Sequence, residues 1–192
     1  MDKSIKGSQT EKNLLKAFAG ESQARNRYTF FAKAARNEGY QKIALFFEET
    51  ARNEEEHSKL FFKQLEGGSV EITASYPAGI ISNTLDNLKE AEMGEEEEWK
   101  VLYPAFAKVA KEEGYIKPAS LFTLISEVEN QHRDRFAKLW EEVKNSAIFT
   151  KPNKTVWRCL KCGHQHSGTL APQVCPICGH PQAYFEVVAD VF

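Results

Sequence analysis

Glu54-Glu55-Glu56-His57 and Glu129-Asn130-Gln131-His132 each hold a glutamate and a histidine three residues apart. On a helix that spacing puts the carboxylate and the imidazole on one face. Only two histidines occur before residue 160, and each closes one of these motifs. A second set of reactive groups lies near the C-terminus, in Cys159-Leu160-Lys161-Cys162-Gly163 and Cys175-Pro176-Ile177-Cys178-Gly179. Two Cys-x-x-Cys pairs form a tetrahedral four-sulfur pattern, suited to a structural zinc or to a single iron. The spacing leaves both open. Zinc has no redox chemistry, whereas iron held by four thiolates carries one electron. A lone Glu-x-x-His is weak evidence for a metal; two of them, placed alike in repeated helices, are what a carboxylate-bridged two-metal site requires.

The repeat is visible when the chain is laid over itself at an offset of 75: Phe31 falls on Phe106, Gly39 on Gly114, Tyr40 on Tyr115, Glu54 on Glu129, His57 on His132 and Phe61 on Phe136. The pattern predicts a duplicated helical hairpin. The first helix is expected over 10–38, with Thr10 as N-cap and Gly39 as stop, and the second over 41–66, ended by Gly67-Gly68. The third is expected over 83–113, capped by Ser82, stopped by Gly114 and kinked or broken at Pro104; the fourth runs over 118–145, with Pro118 in its first turn. Apolar residues at steps of three and four mark each inward seam. Those seams also carry Glu21; Glu54 and His57; Glu95 and Glu98; Glu129 and His132. Glu55, Glu56, Glu96 and Glu97 fall off them.

Between the hairpins, residues 68–82 contain Pro77 and Gly79 but also Val70, Ile72, Tyr76, Ile80 and Ile81. This connection is expected to pack over the bundle. One long crossover between two antiparallel hairpins fits a ferritin-like bundle. The expected fold is therefore mainly α, a ferritin-like four-helix bundle over 1–146, then a linker over 147–155 containing Lys151-Pro152-Asn153-Lys154. A small β-rich metal module follows over 156–192, with β-prone runs at 155–157 and 184–188. So small a module lacks the apolar area for confident stability alone, and a metal would supply folding energy.

Burying a carboxylate costs several kcal/mol, on the order of 20 kcal/mol in the idealised Born limit, unless it is neutralised. Five inward glutamates without cations are implausible; two divalent cations nearly balance them. Carboxylate and imidazole donors with room for bridging suit iron or manganese. Tyr28 and Tyr103, which also match at the 75 offset, are either packing residues or hydrogen-bond donors to ligand carboxylates. Glu98 has no carboxylate counterpart, since Gln23 and Ala24 stand in its place. The halves are unequal, and Glu98 is a rival for the position of neutral His57.

Net charge is −2 with 42% hydrophobic residues, which argues against nucleic acid or an anionic membrane as partner. No apolar run reaches bilayer length and the start lacks an apolar signal region, so a cytoplasmic location is expected.

Ala19-Gly20-Glu21-Ser22-Gln23-Ala24-Arg25-Asn26-Arg27-Tyr28, the two Glu-x-x-His helices and Cys175-Pro176-Ile177-Cys178-Gly179 closely resemble the rubrerythrin family. The resemblance implies a di-iron bundle followed by a rubredoxin-like domain. It implies an NAD(P)H-linked peroxidase that reduces hydrogen peroxide to water, fed by a donor protein such as rubredoxin or its reductase. Glu54 and Glu129 would bridge two non-haem irons, Glu21 would be terminal on one, and Glu95 and His132 on the other. His57 and Glu98 would exchange between oxidation states. Cys159, Cys162, Cys175 and Cys178 would hold a third iron, with zinc as an alternative in recombinant material. A homodimer or higher homo-oligomer is implied, with one subunit's cysteine domain beside its partner's di-iron site. The rival functions are a ferroxidase or iron store, a non-enzymatic electron-transfer or metal-binding protein, and, with least support, a di-iron oxygenase.

Overall fold

The computed structural model describes residues 3–188; the outermost positions of both expected domains, 1–2 and 189–192, lie outside it. Four long helical arms form a bundle: α1 (Gln9–Asn37), α2 (Gln41–Phe62), a third arm split into α3 (Thr84–Glu97) and α4 (Tyr103–Glu112), and α5 (Ile116–Lys144). A small antiparallel sheet follows, with β1 (Thr150–Cys159) flanked by β2 (Gln165–Leu170) and β3 (Phe185–Val187).

The duplication is written into the hairpin turns. Gly39 and Gly114 both adopt positive φ, 86° and 85°. Tyr40 N donates to Ala35 O at 2.8 Å and Tyr115 N to Ala110 O at 2.7 Å, while Gly39 N and Gly114 N each donate three residues back at 3.1 Å. Both turns are the same glycine-terminated helix stop, which satisfies the last helical carbonyls.

Helix ends depart from the sequence reading for local reasons. Ser8, not Thr10, caps α1: its side chain accepts from Glu11 N at 3.0 Å. Thr10 is inside the helix and donates its hydroxyl to Glu113. Helix α2 stops at Phe62, before the expected Gly67-Gly68, because the chain tightens into three-residue turns through Gln64 and Leu65. Ser4 and Ile5 then hold Glu66. Asn83, not Ser82, caps α3, accepting from Asp86 N at 2.9 Å. Pro104 produces the expected break as a π-helical turn, Glu98–Leu102, between α3 and α4.

The crossover only partly covers the bundle. Tyr76 donates its hydroxyl to Lys16 O on α1 at 2.7 Å, but Ile80 and Ile81 remain 77% and 60% exposed. Two apolar clusters fill the bundle, one around Phe31, Phe47 and Phe136 and the other around Phe61, Tyr103 and Phe122. The metal-ligand candidates occupy the polar layer between them.

Most of the stretch expected as a linker is strand. β1 begins at Thr150 and carries Pro152 at a register shift between Thr150 and Thr155, where a residue without an N–H breaks no ladder bond. Trp157 is fully buried under the sheet with Cys159, Cys175 and Phe185. The sheet domain meets the bundle near the start of α2, where Tyr40 stacks on Phe149 and Lys42 lies 3.4 Å from Glu186.

Candidate metal centres

The helical seams bring six of the seven expected bundle residues to one buried layer. Glu21 comes from α1, Glu54 and His57 from α2, Glu95 from α3, and Glu129 and His132 from α5. Their donor atoms form two quartets, each within a sphere suited to a metal: Glu21, Glu54, His57 and Glu129, and Glu54, Glu95, Glu129 and His132. Glu54 and Glu129 belong to both.

The distances show how the sharing works. Glu54 directs Oε2 to His57 Nδ1 at 2.9 Å and Oε1 to His132 Nδ1 at 3.2 Å. Glu129 does the same with Oε1 at 3.0 Å and Oε2 at 2.8 Å. Each carboxylate therefore spans the two imidazoles. Glu21 stands 3.9 Å from His57 and Glu95 3.7 Å from His132. Despite this closeness, Glu54, Glu129 and both Nδ1 atoms have no aligned hydrogen bond, and Glu21 Oε2 and Glu95 Oε2 are equally without one. Buried polar atoms left unpaired are costly, and here they converge instead of pairing off. That is the arrangement of ligands around shared cations. Two divalent ions carry +4, matching the four carboxylates of the two quartets. The donors fit a di-iron carboxylate/histidine site.

The carboxylates not shared are held from outside. Tyr28 donates its hydroxyl to Glu95 Oε1 and Tyr103 donates to Glu21 Oε1. Each tyrosine thus orients the terminal ligand from the opposite half of the duplication. His132 has a further neighbour that sequence reading missed: Asn53 Nδ2 lies 3.2 Å from its Nε2. Its only sequence signal is its place directly before Glu54.

The site's electrostatics are those of a cation centre. Burial pushes Glu54 up, but His132 and His57 outweigh it and hold the carboxyl down at about 2. Burial opposes a charged His57 ring, yet Glu129 and Glu54 raise it to about 10. Burial and the charge of Glu54 raise Glu95 to about 8. Glu21 is pushed well above the carboxylate range by burial and by Glu129, Glu98 and Glu54.

Glu98 does not join either quartet. It opens the π-turn and is half-buried. Its Oε1 lies 3.8 Å from where a Cβ on Gly20 would stand, with the Tyr76 ring beside the same point. Burial, then Glu95, Glu129 and Glu54, push its carboxyl well above the usual range. Of the neighbouring glutamates, Glu55, Glu56 and Glu97 are exposed and Glu96 pairs with Lys100.

The second centre is built by two matching turns. Cys159 N donates to His164 O and Cys175 N to His180 O, both at 2.8 Å; Gly163 N and Gly179 N return to Cys159 O and Cys175 O, both at 2.9 Å. Gly163 and Gly179 take the positive φ these turns need, 79° and 70°. Sγ of Cys159 lies 3.7 Å from that of Cys178, and Cys162 lies 3.6 Å from Cys175. All four thiols face one point. Burial works to raise the Cys175 thiol, but the amides of Cys178 and Ile177 outweigh it and bring it to about 7.

The family profile described as Rubrerythrin matches residues 12–140, and the profile described as Rubrerythrin, rubredoxin-like domain matches 157–186. The chain belongs to the rubrerythrin family. It is 55% identical over 186 residues to a rubrerythrin of Porphyromonas gingivalis, covering 97% of this chain and 93% of that protein. It is 49% identical to a rubrerythrin of Nitratidesulfovibrio vulgaris, covering 97% of each. A solved structure of fully reduced, all-ferrous nigerythrin superposes with a TM-score of 0.63 at 32% identity, covering 96% of this chain and 92% of that one. In this rubrerythrin-family chain the ferritin-like bundle carries the di-iron-type site and the small antiparallel domain carries a rubredoxin-like four-cysteine iron site. No helix among the described residues is long and apolar enough to cross a membrane.

Proposed function

We propose that the protein is a peroxidase that reduces hydrogen peroxide to water at the bundle site, with electrons supplied through the four-cysteine centre. The observation that carries this reading is the pair of quartets sharing Glu54 and Glu129 in the same chain as a four-thiolate knuckle. The reaction consumes one peroxide, two electrons and two protons and yields two waters. When bound, the paired irons supply both electrons to the O–O bond and the thiolate-held iron supplies their replacements singly.

The chain's own residues do the rest. Glu54 and Glu129 hold the two positions at fixed separation, each giving one oxygen to either side. Glu21 and Glu95 neutralise charge, oriented by Tyr103 and Tyr28. Glu98, whose carboxylate lies beside Gly20, one residue before Glu21, would be the group that takes the place of His57. Its raised affinity for a proton suits it to carry one in.

The domains we propose are a bundle over 1–146 and a metal knuckle beginning with β1. They meet near Lys42, and about 22 Å of helix separates Lys42 from His57. That length supports electron delivery from a partner subunit's cysteine domain, hence a homodimer. The four cysteines, which form no disulfide among themselves, fit a reducing cytoplasm. The external donor is a small redox protein of the rubredoxin class or its NAD(P)H-linked reductase.

The test is optical. Iron-loaded protein is reduced without air and given stoichiometric peroxide, and both centres are followed. Rapid reoxidation is expected, with loss in Glu54→Ala and His132→Ala. Cys162→Ser keeps one round of bundle oxidation but loses turnover. Equal reoxidation in wild type and the bundle variants would overturn the reading.

A further inference from the structure

The two histidines are treated differently by the polypeptide. His132 turns Nδ1 towards Glu54, Glu129 and Glu95 and turns Nε2 towards Asn53 at 3.2 Å. A histidine that ligates a metal through Nδ1 carries its ring proton on Nε2, and that N–H needs an acceptor. The Asn53 amide has one, since a half-turn about its terminal bond presents Oδ1 in place of Nδ2. Asn53 sits on α2, one residue before Glu54, so the clamp on His132 comes from the other half of the duplication.

The 75-residue offset says what His57 receives in return. Glu54 maps on Glu129, His57 on His132, and Asn53 on Val128. Val128 precedes Glu129 on α5 as Asn53 precedes Glu54 on α2, and both are half-buried. A valine side chain has no hydrogen-bonding atom. The outer nitrogen of His57 therefore lacks the amide its counterpart has. His57 is also the more open ring, with a side chain 10% exposed against 3% for His132. Glu98, the carboxylate proposed above to take its place, lies beside Gly20, next in the chain to Glu21 of the His57 quartet.

We propose that Asn53 is a positioning residue that makes His132 a permanent ligand, and that Val128 at the equivalent position leaves His57 free to depart. This rests on the two-metal reading of the site. The inequality of the ligands then has two sources in the sequence. Glu98 supplies a substitute, and the Asn53/Val128 difference decides which histidine is substituted. Moving His132 would break a bond at each ring nitrogen. Moving His57 breaks the bond to the metal without breaking one to a side-chain amide at the Val128 position.

The experiment uses the full-length protein loaded with zinc, which is diamagnetic and has no redox chemistry. Proton–nitrogen NMR follows the exchange of each histidine's Nε2–H with water, and calorimetry follows zinc uptake. In wild type the His132 proton should be protected and the His57 proton should exchange rapidly. Asn53→Val should speed His132 exchange at least about 10-fold and weaken one of the two bundle zinc sites by about 10–100-fold. Asn53→Asp, which keeps an acceptor, should restore protection, as a purely packing role would not require. Val128→Asn should slow His57 exchange, and it tests the idea with Asn53 intact should Asn53→Val fail to fold. Unchanged His132 exchange and zinc affinity in Asn53→Val, or unchanged His57 exchange in Val128→Asn, would overturn the proposal. Wild type that binds no zinc beyond the four-cysteine site would instead overturn the two-metal reading, and the proposal with it.

Discussion

Ser126 Oγ on α5 donates to the Trp99 carbonyl in the π-turn at 3.0 Å. The bond answers a deficit created by Pro104. Within the turn Tyr103 N donates five residues back to Glu98 O. Continuing that pattern, the partner of Trp99 O would be the N–H of residue 104, and proline has none. Ser126 fills the gap and ties α5 to the turn that begins with Glu98. Ser126→Ala should therefore cost about 1 kcal/mol, the desolvation cost of a partly buried carbonyl left unpaired. The urea midpoint of the metal-free protein should fall accordingly. An unchanged midpoint would show that the π-turn does not depend on this bond.

Tyr28 and Tyr103 each donate to a terminal carboxylate, and removing either hydroxyl should loosen one metal position. Tyr28→Phe releases Glu95, and Tyr103→Phe releases Glu21. Both rings are fully buried among phenylalanines, and phenylalanine retains that packing. The expected result is a folded protein whose affinity for one of its two bundle ions is about 10-fold weaker. Calorimetric titration would reveal it as weaker binding at one bundle position with the other unchanged. If both ions bind as tightly as in wild type, the hydroxyls are dispensable for ligand orientation.

Metal removal should make stability strongly pH-dependent on the alkaline side. His57 is raised to about 10 from an ordinary 6.5. The folded, metal-free chain holds that proton more tightly than the unfolded chain. Its stabilisation is complete below pH 6.5 and is lost as pH rises through 10. Glu95, raised to about 8 from 4.5, has the same sign: its contribution is complete below pH 4.5 and is gone by about pH 8. Glu54, held at about 2, acts at the other end, contributing above pH 4.5 and failing as pH falls towards 2. From pH 7 to 10 the chelated protein should lose stability steadily in urea titrations. The metal-loaded protein should not, because the cations take the place of the protons. Parallel curves with and without metal would contradict the assignment of these groups as ligands.

The ligand layer was legible because helices repeat. Glu21, Glu54, His57, Glu95, Glu129 and His132 occupy apolar seam positions, where a charged residue stands out, and the 75-residue offset shows the pattern twice. The four cysteines were legible for a different reason: each pair closes a short turn whose glycine is required by geometry. What could not be read depends on partners distant in sequence. The π-turn brings together Pro104 and Ser126 from different helices, the serine donating to the Trp99 carbonyl. β2, Gln-His-Ser-Gly-Thr-Leu, shows no alternation of apolar and polar residues and becomes a strand only by pairing with β1. Glu98 lies on the expected seam, yet the wider spacing of the π-turn sets its carboxylate beside Gly20, outside both quartets.

Placement outside the quartets makes Glu98 separable from metal binding. Glu98→Ala removes none of the donors in either set, so both bundle ions should still bind, with affinities within a few-fold of wild type. What it removes is the carboxylate proposed above to replace His57, a group that also holds its proton well above the usual carboxylate range. Peroxide reduction should therefore fall by about 10²-fold or more, the scale of a lost general acid, while the four-cysteine centre keeps its visible spectrum. Glu98→Gln should behave like Glu98→Ala, since it retains size but neither charge nor an acidic proton. Full metal loading with slow turnover in both variants is the expected pair of results, read by metal analysis and stopped-flow absorbance. Loss of an ion in Glu98→Ala would instead make Glu98 a resident ligand, and normal turnover in Glu98→Gln would remove it from the reaction.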